Sequence, residues 1–256
     1  MLLVACQSPA LVRTARTLPE GGSDLSFTLG VTRVEFPDVV AEGERVPLGD
    51  VTLTNPLPDL LYAYGVSDDV EIGGRLSLGS GLIEAQSKLR FVEAANGRLH
   101  VALAPAAGYR VLVLVNGPVL TLPLLVTYDL SPYVSVSGGA LLSFTSYSVA
   151  DAFRSDEELD LSGQTLYAGG GLGVELRPAW GLHVMPAVEV QRSVSRRGDA
   201  ADLPAIDMLL LHVTFGWGAH RSAPATTPEW QAPERDIDVA LHADVAPGAP
   251  LAPASE

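Results

Sequence analysis

Through the middle of the chain, apolar and polar positions alternate. Ile83, Ala85, Ser87, Leu89 and Phe91 interleave with Glu84, Gln86, Lys88 and Arg90. Leu166, Ala168, Leu172, Val174 and Leu176 oppose Tyr167, Gly169, Gly171, Gly173 and Glu175. Leu182, Val184, Pro186, Val188 and Val190 alternate with His183, Met185, Ala187, Glu189 and Gln191, and Leu209, Leu211, Val213, Phe215 and Trp217 with His212, Thr214 and Gly216. A period of two places each set on its own face of a β-strand. One face is aliphatic; the other is polar, small or glycine. The pattern predicts strands over 25–36, 59–67, 69–78, 81–92, 99–115, 118–130, 133–147, 164–176, 181–194 and 205–218.

The run from Val111 to Tyr128 carries no charge and is long enough for a spanning helix. It contains Asn116-Gly117-Pro118 and Pro123 among β-branched residues, which a helix accommodates poorly. Asn-Gly is a strong hairpin signal, so two strands joined by a tight turn at Asn116-Gly117 are expected.

The connections are uneven. Ser67-Asp68, Glu93–Arg98, Ser131-Pro132 and Arg177–Trp180 are short, whereas those over roughly 37–58, 148–163 and 195–204 are long and all leave the same end. The fold class predicted is all-β, an antiparallel up-and-down transmembrane β-barrel of about ten strands, with its long loops on the cell exterior. In a soluble lipocalin-like barrel the aliphatic face points inward; in lipid it points outward. Three details favour lipid. The polar face is rich in glycine, as a crowded interior requires. The strands are long for a soluble domain. Phe27, Phe91, Tyr128 and Trp217 gather at one end of the apolar face, as an aromatic girdle does.

On this pattern residues 25–218 resemble the small outer-membrane β-barrel proteins of Gram-negative bacteria. The resemblance implies an outer-membrane location, with the lipid bilayer as partner. Such proteins often stop at the aromatic residue of the last strand, whereas Phe215 and Trp217 are followed here by further chain.

Composition narrows the function. The hydrophobic fraction is 47% with 18% charged residues, and Gly (25) and Pro (19) suit many strands and turns. A net charge of -14 disfavours nucleic acid, whose phosphates nothing here would neutralise. The single Cys6 excludes an internal disulfide and a cysteine-based zinc cluster. Leu3-Val4-Ala5-Cys6 resembles the lipobox of bacterial lipoproteins, which implies lipidation of Cys6 in a lipoprotein variant; an unmodified Cys6 is the alternative, since five residues without a basic n-region precede it. Residues 1–24 are read as signal remnant and polar tether, and 219–256 as a disordered, acidic Pro/Ala-rich tail.

Candidate chemistry lies inside. Glu71, Arg75, Glu84, Lys88, Arg90, Arg110, Glu175 and Glu189 all fall on the inward face. Barrels of about eight strands have room only for side chains and those of about sixteen an aqueous channel, so these charges are expected to fill the lumen by neutralising one another. A two-residue turn at Gly79-Ser80 sets Arg75 opposite Glu84, Glu71 opposite Lys88 and Asp69 opposite Arg90, with Leu76 against Ile83 and Val70 against Leu89.

No catalytic, metal or cofactor site is expected. Histidines 100, 183, 212, 220 and 242 lack ligand spacing, although His100, His183 and His212 share the inward face. The His-x-Ser of outer-membrane lipid A deacylases is replaced by His212-Val213-Thr214, and the rim Asp/His set of ten-stranded outer-membrane proteases is not evident. Asp156–Asp160 reads as a solvated acidic loop rather than a Ca²⁺ loop, and Gly169–Gly171 as mid-strand rather than a phosphate cradle. The expected role is structural, adhesive or binding. The alternatives are a small-solute outer-membrane channel and a soluble lipocalin-like carrier.

Overall fold

The computed structural model describes residues 13–35, 39–41, 44–46, 50–111, 116–149, 161–178, 181–198 and 207–218. They form β1 (Ser23–Glu35), β2 (Val39–Ala41), β3 (Glu44–Val46), β4 (Asp50–Ser67), β5 (Val70–Ser77), β6 (Leu82–Ala94) and β7 (Leu99–Leu103). There follow β8 (Ala106–Val111), β9 (Asn116–Ser131), β10 (Val134–Val149), β11 (Leu161–Leu176), β12 (Leu182–Gly198) and β13 (Asp207–Gly218). Strands β2 and β3 make a separate hairpin; the other eleven form one antiparallel sheet. Because β1 pairs with both β4 and β13, and β9 also pairs with β10, the sheet closes into a barrel.

Eleven strands make ten staves, since β7 and β8 are halves of one, broken at Ala104-Pro105 and flanked by β6 and β9. Pro105 has no N–H for a ladder, and proline is tolerated in sheets at such interruptions. The neighbouring groups are still satisfied: Ala104 N donates to Pro123 O at 2.9 Å and Ser87 N to Pro105 O at 3.0 Å. The ten-stave antiparallel barrel is the fold expected from the alternation.

Between β5 and β6 the register is also the expected one. Arg75 pairs with Glu84, Glu71 with Lys88, Leu76 with Ile83 and Val70 with Leu89. Slipping by one residue would put charges opposite aliphatics.

Two expectations fail. Asn116-Gly117 is not the turn: Asn116 pairs with Val111 and Ser148, and Gly117 with Arg110, so both lie inside β9. A Cβ on Gly117 would lie 1.9 Å from Ser146 O, so glycine here serves close approach of β10 and not a positive φ. The connection falls at 112–115, outside the described residues. The long loop expected over 37–58 is likewise mostly strand, comprising the β2–β3 hairpin and the first half of β4. Pro56 and Pro58 lie in this first half of β4. They sit in a bulge, where β1 moves from Thr28 to Gly30 while β4 moves from Asp59 to Asn55.

One end of the barrel, the near end, holds Ser23, Gly218 and the tight connections β4–β5, β6–β7, β9–β10 and β11–β12. The long connections leave the far end, where residues 150–160 and 199–206 are outside the described set.

The faces are those of an inside-out protein. Leu25, Ile83, Leu89, Leu120, Leu142, Leu172, Val190 and Leu211 are exposed on the outer wall. Glu71, Arg75, Glu84, Lys88, Arg110, Glu175 and Glu189 are buried within, as are Ser26, Thr127, Ser135 and Ser137. Aliphatics outside and charges inside are the reverse of a lipocalin-like carrier, and that alternative is set aside.

Candidate functional site

The lumen concentrates the polar chemistry, and its near end contains an element that periodicity did not predict. Residues 13–22, read as a tether, enter the barrel. Before its exit at β4 the segment joins no ladder. Its hydrogen bonds there run to lumen side chains and to the backbone of Asp68.

Arg13 begins the contact, donating through Nη1 to Gln86 Oε1 at 2.8 Å and through Nη2 to Glu71 Oε1 at 2.8 Å. Ala15 N donates to Thr127 Oγ1 at 2.7 Å, and the Ala15 side chain packs with Ala102, Ala104 and Leu125. Arg16 reaches the other wall: Nη1 donates to Asp129 Oδ1 at 2.7 Å, and Nη2 to Ser135 Oγ at 3.3 Å and to Glu175 Oε2. Burial pushes the Arg16 guanidinium below its usual range, and the Asp129 carboxylate beside it pulls the other way.

Lys88 anchors the segment from beneath, its Nζ donating to Arg16 O at 2.8 Å and to Glu71 Oε2 at 3.0 Å. Thr17 Oγ1 donates to Asp68 O, and Leu18 N to Glu71 Oε2 at 3.3 Å. The exit is fixed at β4, where Gly21 N donates to Gly65 O and Gly65 N to Gly22 O, each at 2.9 Å. A Cβ on Gly65 would stand 2.1 Å from Pro19 O, so only glycine lets the segment cross here.

Deeper in the lumen a second group of charges spans β4, β5 and β6. Arg75 Nη2 donates to Asp59 Oδ2 at 3.0 Å, and Arg75 Nη1 lies 3.6 Å from Glu84 Oε2. Thr121 Oγ1 donates to Glu84 Oε1 at 3.3 Å. Arg110 is buried on β8, and Arg90 turns to the near rim, pairing with Asp69 and Glu93 at 2.7 Å each. Glu189 faces His212, with Oε1 3.2 Å from Nε2.

The three inward histidines do not meet. His100 Nε2 lies 3.4 Å from Asp129 Oδ2, His183 Nδ1 lies 3.6 Å from Asp24 Oδ1, and His212 keeps to Glu189. Each is one half of a carboxylate pair. Thr214, in the His212-Val213-Thr214 run, shares a 2.8 Å hydrogen bond with Thr28.

On the outer wall Phe27, Phe91, Tyr128 and Trp217 are exposed at the near end, and Phe27 stacks on Phe215 with ring centroids 5.2 Å apart. Tyr62, Tyr64 and Tyr133 extend the same band. Sequence reading missed them, although Tyr62 and Tyr64 lie on the outward face near the end of β4, the same position along the strands that marked the others. Cys6, His220, His242, Asp156–Asp160 and residues 219–256 lie outside the described residues.

Comparison with known proteins gives fold-level likeness only. No protein-family model matches the chain, and no curated protein matches it. Among solved structures it is similar to an outer-membrane channel from Pseudomonas putida F1, at 10% identity over 80% of this chain and 97% of that one, TM-score 0.47. It is similar to the outer-membrane protease OmpT from Escherichia coli at 12% identity, over 80% of this chain and 99% of that one, TM-score 0.43. A third is Ail, the attachment invasion locus protein of Yersinia pestis, at 16% identity over 77% of this chain and 99% of that one, TM-score 0.32. Their names span a channel, a protease and an attachment protein, so no residue role transfers.

Proposed function

We propose that the chain is an outer-membrane β-barrel protein of a Gram-negative envelope, with a structural, adhesive or binding role and a lumen occupied by its own charged groups. One observation carries the membrane reading: a closed barrel with aliphatic side chains outside and ionised ones within. That distribution is stable where the outer solvent is hydrocarbon, since closure leaves no unpaired edge in lipid. The aromatic band at the near end supports a membrane–water boundary there. In this reading the near end faces the periplasm, and the long connections face the cell exterior.

The charge network of Glu71, Arg75, Glu84, Lys88, Arg90, Arg110 and Glu189, with the inserted segment, supports a resting lumen that does not conduct. Work on other molecules then falls to the far-end loops or the tail. The protein is expected to fractionate with outer membranes, require detergent, and migrate differently on gels before and after boiling. A monodisperse species in detergent-free buffer would overturn the membrane reading. Steady single-channel conductance from the intact protein in a planar bilayer would favour the small-solute channel instead.

A further inference from the structure

The near-end lumen has the features of a binding site with a ligand already in it. Its walls supply two carboxylate stations. Glu71 on β5 takes Arg13, and Asp129 on β9 with Glu175 on β11 takes Arg16. Between them lies a small apolar seat of Ala102, Ala104 and Leu125, where Ala15 is fully buried. Thr127 Oγ1 accepts the Ala15 N–H, and Lys88 Nζ caps the Arg16 carbonyl.

These contacts define a chemical pattern: a segment without regular secondary structure, bent at Ala15, with guanidinium groups three residues apart and a small residue just before the second, as in Arg13-Thr14-Ala15-Arg16. Planar guanidinium groups suit carboxylate stations because several N–H donors converge on paired oxygens. The stations also require cations. Around Asp24, Glu71, Asp129 and Glu175 the described wall supplies Lys88 and Arg177 as permanent cations, with the imidazoles of His183 beside Asp24 and His100 beside Asp129.

The occupant is structurally separable from its site. Strand β1 begins at Ser23, after the segment has left through Gly21 and Gly22, and no barrel ladder includes residues 13–22. The wall is complete without it.

We propose that the near-end lumen is a binding site for Arg-x-small-Arg peptides, occupied in cis by Arg13–Leu18 and exchangeable with the same sequence supplied in trans. This rests on the lumen-filled barrel described above but not on its membrane setting, because the binding reaction is read on the refolded chain itself. Failure of detergent dependence would sink the membrane reading and leave peptide binding still measurable.

The test uses the full chain with a protease site inserted between Glu20 and Gly21, cut after refolding and washed by dilution. A fluorescent peptide covering residues 12–22 is then followed by anisotropy. Saturable binding to the cut protein, little to the uncut protein, and at least about a hundredfold weakening when the peptide carries R13Q and R16Q are expected, since three charge-assisted contacts are lost. A second variant avoids cutting. In the intact R13Q/R16Q chain the weakened segment should yield to wild-type peptide, whereas the intact wild-type chain should exclude it. The proposal is overturned if folded cut protein, judged by unchanged heat-modifiability, binds no peptide. It is equally overturned if the site binds wild-type and R13Q/R16Q peptides alike, or if the cut segment never leaves.

Discussion

Seen from inside the barrel, β5 and β6 present Glu71, Arg75, Glu84, Gln86 and Lys88, while β10 and β11 present mostly short side chains, Ser135, Ser137, Gly139, Ser143, Thr145, Thr165, Gly169 and Gly171, with Leu141, Tyr167 and Glu175 as the larger ones. One wall is dominated by long ionised groups; the other is dominated by short ones, with Glu175 as its one buried carboxylate among the described residues. The difference accounts for how a narrow lumen holds so many charges. Large side chains from one arc need space left by short ones elsewhere, and the inserted segment bonds to both walls, Arg13 to Glu71 and Gln86, and Arg16 to Ser135 and Glu175. Glycine weakens a strand on its own account, so its concentration in β11 is explained by space rather than by propensity.

The largest test of this contrast removes a charged anchor. Glu71 serves Lys88, Arg13 and the Leu18 N–H, so Glu71→Leu strands two cations in a buried setting. A loss of about 3–5 kcal/mol is expected from urea unfolding of the folded barrel. A loss under about 1 kcal/mol would mean that the charged wall is not structural.

On the small wall, Gly139→Val is expected to destabilise by about 1–3 kcal/mol, because overpacked interiors force backbone shifts. A Cβ there would lie 2.4 Å from Leu124 O. The readout is the temperature at which the folded gel band disappears; an unchanged temperature would show that the wall has room to spare.

A smaller quantity sharpens the comparison within the charged wall. Arg75→Gln and Glu84→Gln, singly and together, should show a coupling above about 0.5 kcal/mol, as expected of groups in one ion-pair network. Additive effects would separate two residues that face each other in the register.

The smallest effect belongs outside. Arg192 and Asp207 form a 3.4 Å pair with side chains 67% and 47% exposed. Arg192→Gln should change stability by less than about 1 kcal/mol in the same urea titration. A larger loss there would show that location inside the barrel is not what makes the lumen pairs matter.

Much of this contrast was legible in the sequence because a strand's two faces are written in alternate residues. The β5–β6 register was legible for a stronger reason: one alignment satisfied charge on one face and aliphatic contact on the other. Residues 13–22 were not legible, since their partners are single side chains on β5, β6, β9, β10 and β11, and a segment without a ladder leaves no periodic trace. Asn116-Gly117 misled because glycine has two uses, positive φ and close approach, and only the position of Ser146 tells which applies. The start of β4, expected as part of a long connection, contains Pro56 and Pro58 at a bulge, where the ladder is interrupted.

The pairing of β1 with β13 carries a consequence for assembly. Asp24 meets Gly218 and Glu35 meets Asp207, so the first strand made waits for the last. Loop closure over so long a chain is entropically unfavourable, and nonlocal pairings of this kind slow folding. Until the seam forms, β1 and β13 are open edges able to join another chain. Residues 13–22 precede β1, yet their contacts extend to Glu175, so complete seating must await the synthesis of β11. An open sheet can receive the segment from the side, whereas a closed cylinder admits it only through its mouth. The order of these two events, seating and closure, is therefore a branch point in the folding route.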